Sequence, residues 1–154
     1  MALALSSARF NEGNPISPRH TCEGVDLSPP LRWEDPPPGA RSFALICSDP
    51  DAPGGTWYHW AVYDIPVTTR RLDEGLPKSP AARGVRQAVN DFHRTGWGGP
   101  CPPKGHGTHR YRFHLLALDV ASLALPREAH CRDVERAAAS HVVAEAVLTG
   151  TFAR

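Results

Sequence analysis

Three segments of the chain carry the apolar pattern of β-strands. Residues 42–48 (SFALICS) are almost continuously apolar, which fits a strand covered on both faces. Residues 57–65 (WYHWAVYDI) are rich in aromatic and β-branched types. Strict alternation there would place Trp57, His59, Ala61, Tyr63 and Ile65 on one face. Residues 109–118 (HRYRFHLLAL) alternate most clearly. His109, Tyr111, Phe113, Leu115 and Ala117 share one face, while Arg110, Arg112 and His114 share a face that meets solvent at that end. Residues 131–148 read as one helix. Val134, Ala138, Val142 and then Glu145 or Ala146 follow one side, the first turn (Arg132, Asp133, Glu135, Arg136) is polar, and the alanine run has high helix propensity. Thr149-Gly150-Thr151 stops it, and Thr151-Phe152 adds a short last strand.

Turn formers fill the intervals. Residues 1–40 carry Asn11, Gly13, Asn14, Pro15, Pro18, Gly24 and several further prolines, yet Leu27, Leu31 and Trp33 are there to be buried, so this stretch wraps the domain. Residues 66–108 are punctuated throughout. Gly96, Gly98, Gly99, Pro100, Pro102, Pro103, Gly105 and Gly107 crowd the last third, where close turns favour a cis proline bond within 100–103 and glycine allows close approach to a ligand. With 13 Gly and 16 Pro in 154 residues, a helical bundle is excluded and many short strands are favoured. That length makes one domain spanning 1–154.

Charge removes two classes. The net charge is +1, from 17 basic and 16 acidic residues, and no like-charge block exceeds Arg70-Arg71. A basic stripe of the kind that neutralises phosphates of a nucleic acid is missing. No window approaches the roughly 18 apolar residues of a membrane span. The opening MALALSSARF lacks a basic n-region, so it does not read as a secretory signal, and the cytoplasm is the default compartment. Cys22, Cys47, Cys101 and Cys131 form no CxxC pair. In a reducing cytoplasm they are expected as free thiols, with Cys47 a small buried hydrophobe.

Chemistry concentrates where strands meet Gly/Pro loops. Asp49-Pro50-Asp51 leaves the buried first strand; Asp51 is equally well a turn former, but Asp49 follows a buried run and its charge needs a partner. His59 shares a strand face with Trp57. His109 and Tyr111 follow the glycine loop, two residues apart on one face. Imidazoles and a phenol donate hydrogen bonds, a carboxylate orients an imidazole, and loop amides add a donor nest, which together suit an anion. Other chemistries are weaker. The GxSxG, P-loop and GxGxxG patterns are missing. His106 and His109, with Cys101 or His93, offer a sparse metal set, and Cys101 beside His109 a nucleophile with no sign of activation. No cofactor is implied.

The strings CSDPDAPGGTWYHWAVYDIP and GGPCPPKGHGTHRYRFHLLALD resemble the two signature regions of the phosphatidylethanolamine-binding protein family, also called Raf-kinase-inhibitor-like. TCEGVDLSPPLRW and HVVAEAVLTGTF resemble its bacterial branch, so the likeness runs from about residue 10 to 153. The resemblance implies a mainly β fold, two packed antiparallel sheets with Greek-key connections and a C-terminal helix. It also implies a small pocket for phosphate-like and carboxylate anions. Carried onto this chain, the pocket is Asp49 with Asp51 beside it, Trp57, His59, Gly99, Pro102, Pro103, His109 and Tyr111. Two departures stand out. Gly54-Gly55-Thr56 replaces a longer eukaryotic stretch that carries another pocket tyrosine, and the surfaces behind kinase inhibition in animal members find no match, so Raf binding is not inherited. Self-association as a homodimer is implied by the bacterial branch. Three functions follow: a module binding a small anion or phosphoryl-bearing molecule, an acid–base enzyme using the same pocket, and an inhibitor of a kinase or protease acting on a protein partner through its surface. The pocket composition alone does not separate the first two.

Overall fold

The computed structural model describes residues 2–154. Nine strands form two antiparallel sheets: β1 (Ala4–Ser6), β2 (Leu31–Glu34), β3 (Ser42–Asp49), β4 (Trp57–Pro66), β5 (Arg71–Leu72), β6 (Ala81–Ala82), β7 (Val85–Gln87), β8 (His109–Leu118) and β9 (Val142–Phe152). The small sheet has the order β1-β2-β5 and the large one β6-β7-β4-β3-β8-β9. One helix, α1 (Cys131–Ala138), packs on the far face of the large sheet. The fold is thus mainly β, with two antiparallel sheets and a short helix towards the C-terminus, as the resemblance implied.

The apolar run of β3 explains its central place. Phe43, Leu45 and Cys47 point into the core between the sheets, with Trp33, Trp60, Val62, Phe113 and Leu115. Ala44 and Ile46 point the other way, beneath Val134 and Ala138 of α1. Both faces are therefore dry, and the strand needs no polar alternation. In β8 the expected inward face holds: Tyr111, Phe113, Leu115 and Ala117 all lie in the inter-sheet core, while Arg110 and Arg112 are exposed.

Three expectations are corrected. Alternation in β4 is broken, because its pairing with β3 shifts between Cys47 and Ser48 and again between Phe43 and Leu45. Cys47 pairs with Trp60 and Ser48 with Tyr58, which leaves His59 as the extra residue of a bulge. Trp60, Val62 and Ile65 then face the inter-sheet core, whereas Ala61 and Tyr63 face the helix. The helix is also shorter than 131–148. It ends at Ala138, passes through a 3-10 turn at Ala139–His141, and the rest is β9, paired with β8 from His109↔Phe152 to Leu118↔Val142. Cross-strand pairing of Val142, Val147, Thr149 and Thr151 outweighs the propensity of the interspersed alanines. Finally, every peptide bond among the described residues is trans, including those of the 100–103 loop.

Candidate functional site

Three strand ends meet at one rim of the large sheet: the exit of β3 (Asp49), the start of β4 (Trp57, His59) and the start of β8 (His109, Tyr111). Antiparallel pairing brings them together, since Asp49 pairs with Trp57 and Ser48 with Arg112. They line a recess of about 170 Å³, whose wall is completed by Ala52, Pro53, Phe92, Cys101, Pro102 and Pro103. A much larger depression of about 700 Å³ runs along β2 and β5. Four of its six charged residues pair with each other, Arg32 with Glu34 and Arg71 with Asp73, and it holds no histidine, whereas the smaller recess gathers two.

The polar groups of the recess are buried, with Asp49 3%, His59 3% and His109 2% exposed. Asp49 is satisfied on both oxygens: Oδ1 accepts the Asp51 N–H at 2.7 Å, and Oδ2 lies 2.6 Å from His109 Nδ1. The carboxylate thus fixes the tautomer of His109, with the hydrogen on Nδ1. Nε2 of the same ring lies 2.6 Å from His106 Nδ1. With His109 neutral, Nε2 accepts and His106 donates, so Asp49, His109 and His106 form one hydrogen-bonded chain. His59 Nδ1 donates to the Gly98 carbonyl at 2.5 Å. Burial pushes the His59 imidazole below its usual pKa, against the opposing pull of that carbonyl and of Asp49. The ring is therefore neutral at neutral pH, with a lone pair on Nε2. Burial, reinforced by Asp49, pushes the Tyr111 hydroxyl well above its usual range, so it remains a donor. The rings pack edge to face, His59 on Tyr111 at 5.2 Å and on Phe92 at 5.4 Å, with Trp57 on Phe92 at 5.3 Å.

Of the nine residues singled out from the sequence, seven line the recess: Asp49, Trp57, His59, Pro102, Pro103, His109 and Tyr111. Asp51 turns away. Its carboxylate takes Arg110 Nε and Nη2, both at 2.9 Å, and the Arg110 N–H at 2.9 Å. That guanidinium holds the Asp51 carboxyl down to about 2. Asp51 therefore latches the β3 exit to the start of β8. Gly99 lies in the wall of an adjoining recess, where its N–H donates to Asp26 Oδ1 at 3.0 Å. A Cβ at Gly99 would stand 2.2 Å from the His20 carbonyl oxygen and from Asp26 Oδ1.

The free-thiol expectation is overturned for two cysteines. Cys22 and Cys101 form a disulfide with their Cα atoms 5.4 Å apart, so Cys101 offers no thiol nucleophile. Spacing hid the pair, because 79 residues separate them. Cys47 and Cys131 are free and buried. Burial pushes both thiols up, out of reach of thiolate chemistry. Among the described residues no group of three or more His, Cys, Asp and Glu converges as a metal site. Phe92 was not legible in the sequence. It stands on a turn held by Asn90, whose Oδ1 accepts the N–H of Phe92 at 2.9 Å and whose Nδ2 donates to the Gly96 carbonyl at 2.9 Å. An Asn beginning a glycine-containing stretch is the one sequence signal for such a turn.

A nine-stranded fold with one buried Asp–His pair at a strand-end recess defines a class, and comparison with known proteins specifies it. The family model for phosphatidylethanolamine-binding protein matches residues 6–153. The chain belongs to this family. A protein of Aquifex aeolicus named UPF0098 protein is 51% identical over 148 residues, covering 96% of this chain and 86% of that one. LppC of Mycobacterium tuberculosis, named as a candidate lipoprotein, is 41% identical over 150 residues, covering 97% and 72%. The crystal structure of Escherichia coli YbcL, described as a new member of the mammalian PEBP family, superposes with a TM-score of 0.93 at 31% identity, covering 100% and 99%. The bacterial likeness read from the sequence thus holds.

Proposed function

We propose that the protein is a binding module for a small anion, a phosphate or carboxylate or the phosphoryl head group of a larger molecule, held in the recess between Asp49, His59, His109 and Tyr111. The observation that carries this reading is the convergence of one buried carboxylate–imidazole pair, one neutral imidazole and one unionised phenol on a space of about 170 Å³. Complete small-molecule sites run to roughly 300–1,000 Å³, so the recess suits a head group. The Tyr111 hydroxyl donates to the anion. The lone pair on His59 Nε2 accepts an O–H from a protonated phosphate or carboxylic acid, or takes up a proton as the anion arrives. Either route tightens binding as pH falls through the histidine range. His109, already oriented by Asp49, donates from Nε2 once it is protonated and His106 moves aside.

Calorimetric titration with phosphate, methylphosphonate and acetate tests this, on the wild type and on Tyr111→Phe. One lost hydrogen bond of about 0.5–1.5 kcal/mol predicts a roughly 2–10-fold weaker complex in the variant. Wild-type affinity for all three anions beyond detection, in folded protein, would overturn the reading.

Location is part of the proposal. No helix among the described residues is long and apolar enough to cross a membrane. The Cys22–Cys101 disulfide fits an exported protein, or a cytoplasm that preserves disulfides as in hyperthermophiles. Homodimer formation stays a proposal resting on the family resemblance, checked by sedimentation at micromolar protein.

A further inference from the structure

The head-group recess has a neighbour. A second hollow of about 280 Å³ is lined by Lys78, Arg94, Asp26 and Trp97 and shares two wall residues with the first, Phe92 and Cys101. Phe92 and Cys101 thus belong to the walls of both. Charge in the second hollow is unbalanced. Its one carboxylate, Asp26, is already engaged, accepting the Gly99 N–H at 3.0 Å and lying 3.9 Å from Lys78 Nζ. Among the described residues the Arg94 guanidinium has no carboxylate within ion-pair distance, and its side chain lies in the wall. The backbone beneath it is fixed: Asn90 Oδ1 accepts the Arg94 N–H at 3.3 Å, and the Arg94 carbonyl accepts the Asn90 N–H at 2.8 Å. An unpaired guanidinium in the wall of this hollow is a receptor for a second anionic group.

We propose that the natural ligand is a two-headed anion: one phosphoryl or carboxylate group in the Asp49–His109 recess, a short apolar spacer across Phe92 and Cys101, and a second anionic group on Arg94 with help from Lys78. The inference rests on the anion reading of the first recess. It adds the substrate class, and it assigns Phe92 as the residue over which the ligand bends. The first recess alone is too small for more than a head group; with the second hollow the site reaches small-molecule size.

The probes are α,ω-alkane bisphosphonates with spacers from two to about eight carbons, each compared with the alkylphosphonate of the same length. Titrations use wild type, Arg94→Ala and Arg94→Glu. The expected result is a spacer length at which the bisphosphonate binds at least about 10-fold tighter than its single-headed partner, as a contact to a charged group contributes roughly 1.5–3 kcal/mol. Arg94→Ala should remove most of that gain, and Arg94→Glu should reverse it, while alkylphosphonate affinity stays unchanged. Alkylphosphonates that bind equally well with or without the second head, at every length, would overturn the two-headed ligand and leave the head-group recess standing. A gain that survives Arg94→Glu would also overturn it. Failure of both probe series to bind would overturn the head-group recess and this inference together.

Discussion

The environment of His59 sets the behaviour of the recess. It is the extra residue of a β-bulge, which turns its ring out of the alternation and towards Tyr111. Its Nδ1 is spent on the Gly98 carbonyl, so only Nε2 is free for a ligand. Gly98 and Gly99 must be glycine for a related reason: a Cβ on Gly98 would meet the Phe92 ring at 2.6 Å, and one on Gly99 would meet backbone and carboxylate at 2.2 Å. Gly99→Ala should therefore destabilise the fold by about 1–3 kcal/mol, as overpacking does, and urea denaturation would measure it. A variant as stable as wild type would mean the 18–27 segment yields freely. At this scale the sequence was informative where a residue's type implies a duty. Asp49 needed a partner and found His109. It was silent where a distant partner decides: the buried run before Asp49 marks it as the inward carboxylate, but nothing near Asp51 announces that it latches onto Arg110, 59 residues away.

Between elements, the pocket loop is tied down from several directions. The Cys22 N–H donates to the Pro100 carbonyl at 3.1 Å, Trp97 Nε1 to the His20 carbonyl at 3.1 Å and Arg154 Nε to the Pro102 carbonyl at 2.7 Å. The Cys22–Cys101 bond closes the longest loop of this set. Removing it as Cys22→Ser/Cys101→Ser should cost about 2–5 kcal/mol, seen as a lower urea midpoint, with phosphate affinity weakened as well. A double variant with unchanged midpoint and affinity would make the bond dispensable. The turn carrying Phe92 is held from the helix side. Asp91 accepts the Tyr58 N–H at 2.8 Å and Arg132 Nη1 at 2.7 Å, and Arg132 lies 4.5 Å over the Tyr58 ring. Tyr58 in turn donates to Glu135 at 2.7 Å, and its hydroxyl is pushed up to about 12 by burial and that carboxylate. Three of the four long strands, β3, β4 and β8, were legible because apolar composition and local residue type agree in them. β9 was not, since an alanine-rich segment with helical spacing became a strand only through its partner β8. The disulfide was equally hidden, being a contact between loops.

For the molecule as a whole, buried histidines set the acid limit. His20 and His59 are both pushed below their usual pKa, chiefly by burial. The folded state holds them neutral while the unfolded chain protonates them near 6.5. Stability is thus full above about pH 6.5 and falls as pH drops below it, until the folded-state pKa values are passed. Asp51 acts lower: held at about 2 against a usual 3.8, its contribution is full above pH 3.8 and disappears as pH falls through 2. Thermal melts across pH 4–8 should show the first decline beginning near pH 6.5, and His20→Gln should flatten it. Unchanged steepness in that variant would mean that His20 does not contribute to the decline. Ligand binding carries the opposite sign, because the anion favours protonated imidazole. The most direct test is therefore phosphate affinity by calorimetry at pH 6 and pH 8, for wild type and His109→Ala. Binding should be tighter at pH 6 than at pH 8, and weaker in the variant than in wild type at pH 6. Affinity that is equal at the two pH values, or that is unchanged by His109→Ala in a folded protein, would contradict the anion site.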